Sequence, residues 1–234
     1  MVSSLLGRLL ELSLVTADTG DAWQQYQKLG FEAAPTGDIW PHAYGVVTCE
    51  NLALGLHAVG EEALSITFVR PEVAALHREL SAAQVDIEHA RLGADVFNEL
   101  TLREPGGVAL RVLEARSFSP PQQMPQQTAL GRFISLSLPG RDMDAAQAFW
   151  HSLGHECTPI TEPWEGLRVS GLPLSVHARR ALPEPALVFH ASAQAMRSLT
   201  ASSLERERKL PALRDMAHER LRLPADVAAL VFEL

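Results

Sequence analysis

Leu10-Glu11-Leu12-Ser13-Leu14 decides the reading, because it returns 124 residues later, Glu11 to Ser135, as Ile134-Ser135-Leu136-Ser137-Leu138. Both copies alternate apolar and polar residues, the period of a strand with one buried face. The same offset carries Asp18 to Asp142, Leu29-Gly30 to Leu153-Gly154 and Trp40 to Trp164. A strand, an Asp, a Leu-Gly and a Trp in fixed order at one spacing mark a duplicated unit.

Outward from the first copy, Asp18 and Thr19 are placed to cap a helix over 22–29, and Gly30 to stop it. Strands follow over 44–50 and 52–58, about a tight turn at Glu50-Asn51. The order then restarts: a strand over 63–69, and a helix over 73–83 with Pro71 at its first turn. Strands over 85–90, 98–103 and 108–114 complete it, the last two joined by Glu104-Pro105-Gly106-Gly107. Residues 117–127 are rich in Pro and Gln and lack periodicity, as an interdomain linker does. Beyond them strands are expected over 133–138, 167–170, 172–178 and 186–190, and helices over 144–153 and 193–208. The closing Val227-Ala228-Ala229-Leu230-Val231-Phe232-Glu233 echoes Val108-Ala109-Leu110-Arg111-Val112-Leu113-Glu114. The expected organisation is a first domain over 1–116, a linker over 117–130 and a diverged second domain over 131–234.

With 234 residues and 47% hydrophobic side chains, the chain can bury an ordinary core. A formal charge of −8 argues against nucleic acid as a partner, since a polyanion calls for a basic stripe. No apolar run reaches the roughly 20 residues that span a bilayer, and no secretory leader is evident. Cys49 and Cys157 are the only cysteines, which is neither a disulfide framework nor zinc-finger spacing. A reducing cytoplasm is the expected location.

Strand-helix-strands units in pairs resemble the vicinal oxygen chelate superfamily: glyoxalase I, bleomycin- and fosfomycin-resistance proteins and extradiol dioxygenases. The helix exit Lys28-Leu29-Gly30-Phe31-Glu32 and the Glu104–Gly107 hairpin carry the likeness, with the repeated first strand. The resemblance implies an α+β fold of four βαβββ units forming two glyoxalase-like, cup-shaped domains. It also implies four inward positions per cup for a divalent metal, the Lewis acid of the metal-dependent members. Here those positions hold Glu11, Gly55, Ser65 and Arg111, then Ser135, Ser175, Ala186 and Leu230. One carboxylate beside a cation, and no ligand at all in the second set, do not make a metal site. No cofactor is expected.

Alternation along the strands would also point Ser13, His57, Thr67, Ala109 and Leu113 into the first cup. Glu11 and Arg111 are expected to form an ion pair in place of the metal, with Arg111 free to grip a ligand carboxylate or phenolate. His57 and His177 stand at equivalent places, as polar groups of each cup or as repeated packing. The expected ligand-binding set is Glu11, Ser13, His57, Ser65, Thr67, Arg111, Ser135, His177 and His190. A relocated metal set from His177, His190 and His218-Glu219 is the alternative. His151, His155 and Cys157 read as a chance surface cluster, and Trp40 and Trp164 as lids or packing anchors. The expected function is binding of a small organic molecule. A metal-dependent lyase or dioxygenase, or a degenerate relative that works through partners, stand as alternatives. Whether the cups close within the chain or across a homodimer stays open.

Overall fold

The computed structural model describes residues 4–36, 40–115, 128–200 and 204–233. The first unit runs β1 (Arg8–Val15), α1 (Thr19–Lys28), β2 (Glu32–Ala34), β3 (Tyr44–Cys49) and β4 (Leu52–His57). The second runs β5 (Leu64–Arg70), α2 (Val73–Ala82), β6 (His89–Arg91), β7 (Glu99–Arg103) and β8 (Ala109–Glu114). Together they make one eight-stranded sheet, ordered β2-β3-β4-β1-β5-β8-β7-β6. The chain then repeats itself: β9 (Arg132–Gly140), α3 (Met143–Ser152), β10 (Cys157–Ile160), β11 (Gly166–Val169), β12 (Leu174–Ala178), β13 (Ala186–Ala191), α4 (Ala193–Thr200), β14 (Glu205–Arg206), β15 (His218–Leu223) and β16 (Val227–Glu233). Their sheet has the same order, β10-β11-β12-β9-β13-β16-β15-β14. The four expected βαβββ units are present as two tandem sheets.

Local chemistry sets the helix ends alike in both copies. The Asp18 carboxylate accepts from the Asp21 amide, and that of Asp142 from the Asp144 and Ala145 amides. Each satisfies donors that a first helical turn leaves open, about 1 kcal/mol per cap. Gly30 and Gly154 follow α1 and α3 at φ +92° and +84°, a conformation that costs other residues strain.

Period-two alternation sorts the strands into two faces. Leu12, Leu14, Leu54, Leu56, Ile66, Phe68, Leu110 and Val112 are buried against helix residues such as Tyr26, Leu76 and Leu80. The second sheet supplies Leu136, Leu138, Val176, Leu187 and Phe189 to the same apolar body, with Trp150 of α3. Fully buried side chains of this size contribute roughly 2–3 kcal/mol each. One core therefore serves both sheets. Polar ties cross between the halves as well: Leu5 N–H donates to Leu153 O at 3.1 Å, Ala129 N–H to Leu29 O at 2.8 Å, and Tyr26 Oη to Pro224 O at 2.9 Å.

The second half departs from expectation in places. The helix expected over 193–208 ends at Thr200, and Glu205 and Arg206 are already paired with β15. The charged run 205–208 gains more from ion pairs than from helical turns: Arg220 and Arg222 reach Glu184 and Glu207. The hairpin before β16 has no glycine, and Ala225 and Asp226 themselves take φ of 63° and 59°. In the first half β6 starts at His89, later than the expected 85. The expected linker falls outside the described residues except at 128–130, where Thr128 and Gly131 close a small turn.

Candidate functional site

The face of each sheet opposite the helices forms a cup, and strand register makes the two cups comparable residue by residue. Ser13 stands opposite Gly55 on one side and Ser65 on the other. Ser137 stands likewise between Ser175 and Ala186. Thr67 pairs with Glu11 and Arg111, where Val188 pairs with Ser135 and Leu230. The expected correspondence of inward positions therefore holds across both sheets.

In the first cup, Glu11 lies on the floor, 2% exposed. A carboxylate this deep needs donors, and it has three. Ser13 Oγ and Tyr44 Oη donate to it at 2.8 and 2.5 Å, and His57 Nε2 lies 2.8 Å from Oε1. Thr67 Oγ1 joins through Ser13 at 2.7 Å. The carboxyl group fills the space above Gly55, where a Cβ would fall 2.2 Å from its carbon. Burial first, then the Glu11 charge, push the Tyr44 hydroxyl far above the ordinary phenol range, so it stays a donor. His57 is buried too, and its Nδ1 lies 3.0 Å from Nε2 of His42. The result is a chain of hydrogen bonds, Glu11–His57–His42, running from floor to wall.

The expected ion pair between Glu11 and Arg111 is not formed. Arg111 reaches across β7 to Glu99 at 3.3 Å, and Glu99 also takes Arg91 at 3.1 Å. The reason is supply: Glu11 already has hydrogen bonds to Ser13, Tyr44 and His57, while Glu99 lies on the strand paired with that of Arg111. The guanidinium also lies 5.6 Å from the Trp40 ring, a cation–π distance. Above these residues is a cavity of about 440 Å³, lined by Trp40, His42, His57, Ser65 and Arg111 among others. At its rim Arg103 pairs with Glu62 and Glu88.

The second cup has kept the scaffold and changed the contents. Ser135, Ser137 and Ser175 hydrogen-bond one another at 2.9–3.4 Å. His177 Nε2 lies 3.0 Å from Ser175 Oγ, and its Nδ1 2.9 Å from Glu165 O. Burial holds His177 down to about 4. Over β13 and β16 the cup is packed with Trp164, Leu182, Val188, Leu210, Leu213, Leu230 and Phe232. A hollow of about 350 Å³ remains on the serine side, bounded by Trp164 and Arg168. Trp164 is a buried anchor, packed on His177 and stacked on Phe232, at the edge of that hollow, whereas Trp40 is only half-buried.

Neither the family's ligand positions nor the alternative set fits a divalent cation. Glu11 has its donors, Gly55 has no side chain, Arg111 carries positive charge, and the second cup offers Ser135, Ser175, Ala186 and Leu230. His190 and His218 each touch Phe232, and Trp164 stands between that ring and His177. Among the described residues no three His, Cys, Asp or Glu are grouped to hold a metal ion. The His151, His155 and Cys157 surface cluster is also corrected. His155 is buried, bridging Ser4 Oγ at 2.8 Å and Ser170 O at 3.0 Å, while His151 is exposed. Cys49 is buried, its thiol pushed up to about 12.

Sequence reasoning missed Tyr44, His42 and Glu99. Tyr44 had a signal, as the cross-strand neighbour of His57 about the Glu50-Asn51 turn. His42 had a weaker one, two residues from the repeated Trp.

No family model and no curated protein sequence matches the chain. Solved structures do. A catechol 2,3-dioxygenase superposes with a TM-score of 0.59 at 14% identity, over 99% of this chain and 93% of its own. Homoprotocatechuate 2,3-dioxygenase from Arthrobacter globiformis gives 0.60 at 11%, over 100% and 81%. A Mn(II)-bound glyoxalase from Novosphingobium aromaticivorans gives 0.56 at 11%, over 100% and 83%. Likeness at such identities is likeness of fold, and it spans both sheets. No helix among the described residues is long and apolar enough to cross a membrane. The chain has the fold of the vicinal oxygen chelate superfamily, in two tandem domains.

Proposed function

We propose that the chain binds a small organic molecule in its first cup and that the second cup is chiefly structural. One contrast carries the reading. At equivalent register positions the first cup sets Arg111 and Ser65 against a 440 Å³ cavity, and the second sets Leu230 and Ala186 against an apolar plug. A cavity of that size suits a single-ring molecule. Trp40 and His42, stacked with centroids 5.6 Å apart, offer an aromatic wall. Arg111 spends one nitrogen on Glu99, and its fork has further donors for an anionic oxygen. The ligand class supported is an aromatic or unsaturated organic acid. The solved structures of like fold include catechol-cleaving dioxygenases, so ring-sized compounds are a natural screen.

Calorimetric titration with benzoate tests this. Saturable binding is expected, weakened about tenfold or more in Arg111→Leu and unchanged in Ser175→Ala, tenfold being about 1.4 kcal/mol. Dependence on Ser175 in place of Arg111 would overturn the assignment of the cup.

A further inference from the structure

The cavity of the first cup is charged unevenly. Its lining sets four carboxylates, Glu61, Glu62, Glu88 and Glu99, against two guanidinium groups, Arg103 and Arg111. The inner end is cationic. Glu99 is shared between Arg111 at 3.3 Å and Arg91 at 3.1 Å, two arginines on one acid, which leaves one positive charge over. Glu11 lies beneath, enclosed by its own donors. The rim is anionic. Arg103 holds Glu62 at 2.6 Å and Glu88 at 2.9 Å, and Glu61 has no ion-pair partner among the described residues. Three carboxylates on one guanidinium leave two negative charges over. A simple organic anion satisfies only one end of such a space.

Strand register sets the distance between the two ends. Arg111 stands opposite Thr67 and Thr101, and two residues along β8 Ala109 stands opposite Ser65 and Arg103. Two residues of strand cover roughly 7 Å, about the reach of one benzene ring with a substituent at each end. On the rim side of that span is an open contact. Ser65 is 3% exposed, lines the cavity and has no hydrogen-bond partner among the described residues. A hydroxyl so deeply buried normally has one, and the neighbouring Ser13 has two. The hydroxyl that Ser65 turns to the cavity is free to bond a ligand.

We propose that the first cup selects a zwitterion, an aromatic acid that carries an ammonium group on the opposite side of its ring. The inference rests on the proposed ligand cup and adds the ligand's second charge. The carboxylate accepts from the Arg111 fork, and the ring lies against Trp40 and His42. The ammonium group donates to Ser65 Oγ and to the rim carboxylates, its three donors being enough for one hydroxyl and two acids. A dianion of the same length would set its outer carboxylate against Glu61, Glu62 and Glu88, where like charges repel. The second cup lacks both contacts. It has Ala186 where the first has Ser65, and Leu230 where the first has Arg111.

The test compares three para-substituted benzoates by calorimetric titration of the full chain: 4-methylbenzoate, 4-(aminomethyl)benzoate and terephthalate. They share a ring and a carboxylate and differ in the charge at the far end. The aminomethyl compound is expected to bind about fivefold tighter than the methyl compound, and terephthalate about fivefold weaker, the rim being partly exposed. The ratio of aminomethyl to methyl affinity should fall to about twofold in Glu61→Gln/Glu62→Gln and in Ser65→Ala. Arg111→Leu acts on the other end and should weaken both compounds alike, by about tenfold. Equal binding of the methyl and aminomethyl compounds would overturn the ammonium subsite and leave the ligand cup standing. So would terephthalate binding tighter than 4-methylbenzoate, or a ratio that survives Glu61→Gln/Glu62→Gln. Failure of all three compounds and of benzoate to bind would overturn both.

Discussion

His57 and His177 occupy the same register position in two copies of one fold, yet they carry their protons on opposite nitrogens. His57 gives Nε2–H to a buried carboxylate, and His177 gives Nδ1–H to a backbone carbonyl. The difference starts one strand away. Where the first cup has the Glu11 side chain over Gly55, the second has Ser135 hydrogen-bonded to Ser175. A carboxylate turns a histidine into one link of a chain, and a carbonyl parks it. Duplication preserved the backbone and the imidazole, and the neighbours decided their chemistry.

The largest expected effect tests that origin. Placing the same residue at the same position in both cups should separate them. Gly55→Ala pushes on the Glu11 carboxyl group and strands it from its donors, costing about 4 kcal/mol in chemical denaturation. Ser175→Ala loses hydroxyl contacts alone, about 1 kcal/mol. Equal costs would mean that the cups do not differ at their floors.

Acid separates them next. The folded pKa of His177, about 4, lies below the unfolded value of about 6.5. The unfolded chain therefore binds the extra proton first, and stability falls as pH drops from about 6.5 to 4. The loss is on the order of 3 kcal/mol, complete below the folded pKa and absent above the unfolded one. His177→Gln should flatten that limb of the stability profile, and an unchanged slope would remove the parked-imidazole reading.

Leu213→Ala opens the plug of the second cup and should cost roughly 2 to 3 kcal/mol, with no change in benzoate affinity. A parallel fall in affinity would show that the plug supports the first cup. The smallest stability change belongs to Arg111→Leu, which writes the second cup's residue into the first. Its pair with Glu99 is partly exposed and Glu99 keeps Arg91, so less than about 1 kcal/mol should be lost.

The fold was legible because a period-two pattern pins register, and a slip of one residue would have turned Glu11 and Ser13 toward the helices. The floor of each cup followed from that. The partners did not. Arg111 faces Glu11 from two strands away, but Glu99 on the other strand of the expected hairpin reaches it first, and alternation does not say which of two acids an arginine takes. His42 comes from a loop without periodicity. Two plug residues, Leu210 and Leu213, come from the stretch between β14 and β15, longer than its counterpart between β6 and β7, and the charges around them imitate a helical stretch.

The common core has a consequence for anyone who would separate the halves. Tyr26 hydrogen-bonds Pro224, the Ser4 hydroxyl meets His155, and leucines from both sheets interleave in one apolar body. A protease cut between Ala115 and Thr128 would sever the backbone and release nothing. The fragments would co-purify, and heating would melt them in a single cooperative transition, whereas either half made alone would present a bare leucine-rich flank to water and precipitate.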